Sequence, residues 1–151
     1  MERIALFAGT FDPFTRGHQS LLQRALPLFD RIVVAIGTNA GKQCMFTLQE
    51  RIQAIEELYT NEPRVEVTSY NGLTMDFAKE INATALLRGV RSVKDFEYER
   101  EIADVNLKMG NIETVLLMCE PEYASVSSSI VRELITYGKD VTPLMPIKNK
   151  Q

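Results

Sequence analysis

His18 is the only histidine in the chain, and it closes a run dense in chemically useful residues: Gly9-Thr10-Phe11-Asp12-Pro13-Phe14-Thr15-Arg16-Gly17-His18. Thr10 offers a hydroxyl and His18 an imidazole, while Gly9 and Gly17 let a ligand come close to bare backbone. Before this run lies Ile4-Ala5-Leu6-Phe7-Ala8, apolar throughout; after it, Gln19 to Leu26 places apolar residues at helical spacing. The run therefore turns a strand into a helix, and His18 falls near a helix N-terminus whose free N–H groups and dipole favour an anion. Phosphate binding is the chemistry this suits. Glycine and proline also punctuate ordinary loops, and a lone histidine is commonly structural, so the residues alone leave both readings open.

The rest of the chain supplies elements that can position such a site. Strand-like runs recur at Arg31-Ile32-Val33-Val34-Ala35-Ile36-Gly37, Val65-Glu66-Val67-Thr68, Thr84-Ala85-Leu86-Leu87 and Thr114-Val115-Leu116-Leu117-Met118. Helical patterns separate them. Thr47-Leu48-Gln49-Glu50 has the form of a capping box and opens one helix; Asn71-Gly72 turns the chain into another; Ser92 caps a long one running to about Met109. A last helix spans Ile130 to Tyr137 and stops at Gly138. Strand and helix alternate about five times, which is the pattern of an α/β, doubly wound parallel sheet with right-handed crossovers. In such a sheet the loops after the strands share one edge. Lys42, Arg88 with Arg91, and Ser127-Ser128-Ser129 all follow strands, so three cations and a hydroxyl run are expected in one cleft with Thr10 and His18. Single surface cations mean little. Three at successive strand ends suit a polyanion.

Composition narrows the class further. The 151 residues make a single domain, 1–151, with a tail expected to fray after about Pro146. A hydrophobic fraction of 45% and a charged fraction of 25% are those of a soluble globular protein. The net charge of −3 argues against a nucleic-acid partner while allowing a local basic pocket. Cys44 and Cys119 make neither a C-x-x-C pair nor a disulfide framework. The first strand starts at once and no run approaches membrane-spanning length, so no leader, no membrane and a cytoplasmic location are expected.

Gly9-Thr10-Phe11-Asp12-Pro13 followed by Thr15-Arg16-Gly17-His18 resembles the signature of nucleotidyltransferases with the T/H-x-G-H motif. Within that superfamily the chain resembles the phosphopantetheine adenylyltransferase family from Arg3 to about Pro146. Arg88-Gly89-Val90-Arg91 is similar to its R-G-x-R segment, and Ser127-Ser128-Ser129 to its triple serine, with Val126 where isoleucine is common. The resemblance implies a Rossmann-like strand order and the conversion of ATP and 4′-phosphopantetheine to dephospho-coenzyme A and pyrophosphate. It also implies roles. Thr10, His18, Lys42, Arg88 and Arg91 would be catalytic. ATP would meet Thr10, Phe11, His18, Arg88, Gly89, Val90, Arg91, Glu99 and the segment Tyr123, Ala124, Ser125, Val126, Ser127, Ser128, Ser129. The acceptor would meet Thr10, Lys42, Arg88, Leu73, Thr74, Tyr98, Ile102 and Asn106. Tyr98, Ile102 and Asn106 are spaced by four and share a helix face, which spacing alone would assign to packing. Thr74 stands where an apolar residue is frequent.

An acceptor phosphate has its second pKa at about 6, so it attacks as a dianion and needs no general base, in keeping with a sequence that shows no catalytic dyad. Magnesium is expected, held mainly through the ATP phosphates, since no carboxylate cluster could make an all-protein cage. A homohexamer and feedback by coenzyme A are further implications of the resemblance. Rival assignments are a sister cytidylyltransferase or nicotinate-mononucleotide adenylyltransferase, a non-catalytic nucleotide sensor, and a flavodoxin-like carrier without a flavin-loop signature. His18, facing a cleft, is expected to have little packing to lose.

Overall fold

A computed structural model describes residues 1–39 and 41–148. Five strands form one parallel sheet: β1 (Ile4–Gly9), β2 (Arg31–Gly37), β3 (Val65–Tyr70), β4 (Ala85–Val90) and β5 (Glu113–Met118), in the order β3-β2-β1-β4-β5. That order has the Rossmann-like form, with the chain reversing direction of travel between β1 and β4. Among the described residues four α-helices join the strands, α1 (Arg16–Ala25), α2 (Leu48–Leu58), α3 (Thr74–Glu80) and α4 (Val93–Gly110), and a fifth, α5 (Ser128–Thr136), follows β5.

The central strands are apolar on both sides because helices cover both faces. Alternate residues of β1 divide accordingly. Ala5 and Phe7 join Leu22, Ile32, Val34, Ile55 and Leu87 on the side of α1 and α2. Ile4, Leu6 and Ala8 join Val33, Ala35, Ala78 and Leu86 on the other side. Leu6, Leu22 and Ile36 are fully buried, each contributing about 2 kcal/mol of burial.

The helix starts are chemically specified. Thr47 and Glu50 form the expected capping box, with reciprocal bonds of 3.1 Å. Ser92 accepts from the Asp95 N–H and opens α4, whose other end turns through Asn111 at φ 52°. Two boundaries differ from expectation. β4 continues through Arg88, Gly89 and Val90, because β5 supplies partners for them in register at Leu116, Leu117 and Met118. Ser128 and Ser129 lie inside α5, since Ser127 is its N-cap. Ile147, in the expected frayed tail, exchanges two hydrogen bonds with the Gln19 side chain, of 2.7 and 2.8 Å. Residues 149–151 lie outside the described chain.

Candidate active site

Loops after β1, β2, β4 and β5, with the N-terminus of α5, enclose a cleft of about 490 Å³ at the C-terminal edge of the sheet. Thr10, Gly17, His18, Lys42, Arg88, Gly89, Arg91 and Ser127 to Ser129 line it, so one cavity gathers the motif loop, the cations and the serines.

His18 is the third residue of α1, where a capping box usually has a glutamate. Its imidazole does the glutamate's work. The Thr15 N–H donates to Nδ1 at 2.9 Å, and the His18 N–H donates to the Thr15 hydroxyl at 3.4 Å. An accepting Nδ1 leaves the proton on Nε2, the free nitrogen of a ring that borders the cleft. Desolvation, and then the positive charges of Arg88 and Arg91, pull its pKa down to about 3. His18 is thus a neutral N–H donor at physiological pH. It also has packing to lose, contrary to expectation: the ring stacks on Phe14 at 5.2 Å and meets Phe11 edge-on at 5.0 Å. Phe11 itself has a positive φ of 48° and a buried ring.

The cations differ in how they are held. Arg88 forks onto Glu99, with Nε and Nη2 donating at 2.9 and 2.8 Å, while Nη1 donates to the Ala8 carbonyl at 2.8 Å. The bonds to Glu99 push the Arg88 pKa further up, so its charge is permanent. Glu99 is buried and aims the guanidinium instead of facing the cleft unpaired. Arg91 pairs with Asp95 at 3.1 Å. Lys42 donates to the Thr10 hydroxyl at 2.8 Å. The Ser128 hydroxyl is occupied by the Pro13 carbonyl at 2.7 Å.

A second cavity of about 230 Å³ adjoins the first. Thr74, Ile102 and Asn106 line it together with Tyr70 and Thr114. Tyr98 instead borders the larger cleft, and Leu73 lines neither cavity, being 60% exposed at the cap of α3. Val90 is buried in the sheet, and Tyr123, Ala124 and Ser125 line neither cavity. Ala8, Gly9, Thr10, Arg88 and Glu99 border both cavities.

Sequence reasoning passed over several side chains of this region. Arg132 lines the cleft and donates to the Asp12 carbonyl at 2.9 Å and the Ser129 hydroxyl at 3.2 Å. Its position one helical turn beyond Ser129 was a usable signal. Arg51 reaches the Thr10 carbonyl from α2 at 2.9 Å, and nothing in its spacing announces that contact.

The cytidylyltransferase-like family model matches residues 6–134. The phosphopantetheine adenylyltransferase of Phocaeicola vulgatus is 52% identical over 144 residues, covering 95% of each chain. The chain belongs to the phosphopantetheine adenylyltransferase family. The Bacteroides fragilis member is 51% identical, covering 95% of this chain and 96% of its own. Solved structures extend the likeness of fold. A bifunctional NMN adenylyltransferase/ADP ribose pyrophosphatase from Francisella tularensis, complexed with AMP and a manganese ion, superposes with a TM-score of 0.69 at 16% identity. That match covers 99% of this chain and 46% of the bifunctional one. A lipopolysaccharide core biosynthesis protein from Thermoplasma volcanium gives a TM-score of 0.58 at 21% identity, covering 80% of this chain.

Proposed function

We propose that this chain transfers the adenylyl group of ATP to 4′-phosphopantetheine, giving dephospho-coenzyme A and pyrophosphate. Family membership supplies the reaction, and one structural observation carries the site assignment: two cavities of different character share the Thr10 and Arg88 wall. The larger, with its cations and helix N-terminus, suits a triphosphate. The smaller carries Ile102 beside Asn106 and Thr74, apolar and amide surface fit for an uncharged arm bearing methyl groups and amides. The two substrates then bring their reacting phosphates together at the shared wall.

Chemistry there needs positioning and charge stabilisation. The acceptor phosphate, a dianion above about pH 6, attacks the α-phosphorus in line, and the bond to the pyrophosphate oxygen breaks. Thr10 and Lys42 orient the acceptor phosphate. Arg88 offsets the repulsion between the two anions. The neutral His18 donates from Nε2 to an α-phosphate oxygen as charge builds, while Arg91, Ser127 and Ser129 hold the departing pyrophosphate. Among the described residues no three His, Cys, Asp or Glu side chains cluster for a metal ion. Magnesium would be held mainly through the ATP phosphates and would lower their charge.

Coenzyme A, sharing the pantetheine arm, would compete for the same cavities. The family resemblance implies a homohexamer, and apolar side chains left exposed along α4, Val93 at 77%, Val105 at 51% and Met109 at 75%, offer surface for contact between copies. Light scattering checks that assembly, and a monomer overturns it. No helix of the described residues is long and apolar enough to cross a membrane. Free Cys44 and Cys119 support a reducing compartment such as the cytoplasm. The test of the activity is pyrophosphate release with ATP and a panel of acceptors. Turnover is expected with 4′-phosphopantetheine and not with dephosphorylated pantetheine; equal turnover of both would remove Lys42 and Arg88 from the acceptor phosphate. Preference for nicotinate mononucleotide would favour the sister activity.

A further inference from the structure

Residues 41–47, between β2 and α2, include Lys42, and none of them belongs to either apolar core. Gly41, Lys42, Gln43 and Met45 are all exposed. Polar bonds to the β1–α1 loop take the place of core packing. From one side the buried Asp12 carboxylate accepts the Met45 and Phe46 N–H groups at 2.8 and 2.9 Å. From the other, buried Arg51 donates to the Thr10 carbonyl at 2.9 Å and to the Phe46 and Thr47 carbonyls at 3.1 and 3.3 Å. Among the described residues neither Asp12 nor Arg51 has an oppositely charged side chain within ion-pair distance. Each charge is satisfied by main-chain groups, and each ties the two loops together.

A buried charge held by backbone dipoles is costly unless those bonds are well made. The geometry points to a further role: Asp12 and Arg51 are positioning residues that clasp the two loops and so set Lys42 against Thr10, fixing both halves of the acceptor-phosphate site. The inference rests on the assignment of that phosphate to Lys42 and Thr10. Arg51 grips the carbonyl of the same residue whose hydroxyl Lys42 reaches, so slack at Arg51 enters the Lys42–Thr10 contact directly. The pyrophosphate end, built from Arg91 and α5, meets the same loop only at the Asp12 and Pro13 carbonyls, through Arg132 and Ser128, and not at the Asp12 carboxylate or Arg51 that make the clasp.

Steady-state kinetics of the full-length enzyme, varying ATP and 4′-phosphopantetheine separately, test this. Arg51→Met should raise the KM for 4′-phosphopantetheine roughly tenfold, the order expected when a hydrogen bond to a charged group is lost, with the KM for ATP little changed. Lys42→Ala should do the same, and the double variant should be no worse than Lys42→Ala alone, because Arg51 acts through that contact. Equal rises in both KM values, or full additivity in the double variant, would overturn the clasp. If Arg51→Met fails to fold, Asp12→Asn serves in its place, since an amide cannot accept both N–H groups without turning its own donor on one; the same split and non-additivity are expected, and their absence is equally decisive. Wild-type enzyme that turns over a different acceptor would instead defeat the substrate assignment on which the inference rests.

Discussion

One imidazole carries two duties at separate nitrogens. Nδ1 closes the cap of α1, and Nε2–H is left for the cleft. Replacing His18 by alanine should therefore lower kcat by about a hundredfold or more with KM for ATP nearly unchanged, as befits a donor used mainly in the transition state. Loss of the cap should also cost about 1 kcal/mol of stability. His18→Gln separates the duties, because a glutamine can accept from the Thr15 N–H and restore the cap while activity stays low. Fully active His18→Ala protein would end the proposed mechanism.

The pH dependence of stability follows from the same residue. Between about pH 3 and 6.5 the unfolded chain takes up a proton at His18 that the folded chain refuses. Stability from this group is complete above 6.5 and is lost as pH falls toward 3. Thermal melts across that range should fall less steeply for His18→Gln than for the native protein. Catalysis should show no His18 ionisation near neutrality, and any acid limb near pH 6 should persist in the variant, since it belongs to the acceptor phosphate at about that pKa.

At the scale of elements, α3 and α4 meet closely at Gly110. A Cβ on Gly110 would lie 2.7 Å from the Met75 Cβ, so any side chain there must push α3 away. Gly110→Ala should cost about 1–3 kcal/mol by overpacking and lower the melting temperature by several degrees. Thr74, which begins α3, lines the smaller cavity, so the displacement should raise the KM for 4′-phosphopantetheine more than that for ATP. A variant with native stability and kinetics would show that α3 yields freely.

Taken whole, the molecule is acidic, with a net charge of −3, yet its cleft carries Arg24, Lys42, Arg88, Arg91 and Arg132. Glu99 and Asp95 offset two of these charges, leaving Arg24, Lys42 and Arg132 as the cleft cations without a carboxylate at bonding distance among the described residues. Local field outweighs net charge for a ligand inside a cleft. Raising ionic strength should therefore weaken ATP binding, measured by calorimetry, and Arg132→Gln should reduce that salt dependence. Binding insensitive to salt would contradict the electrostatic account.

How much of this was legible beforehand depended on range along the chain. Periodicity located the five strands and five helices, since a buried strand and an amphipathic helix each leave a local pattern. Thr47 with Glu50 and Ser92 marked helix starts because a cap acts within one turn. Sheet logic placed Thr10, His18, Lys42, Arg88 and Arg91 along one edge, and the structure gathers them in one cleft. Tertiary structure decided what those residues bond to. β4 runs through Arg88 to Val90 because β5 pairs with them, and a pairing partner on another strand leaves no mark in local pattern. Leu73 turned outward and Tyr98 toward the larger cleft because packing, not helical spacing, sets the rotation of each helix. Glu99 on Arg88, Arg132 on Asp12 and Arg51 on Thr10 join residues 11, 120 and 41 positions apart, and only the folded chain brings those partners within reach.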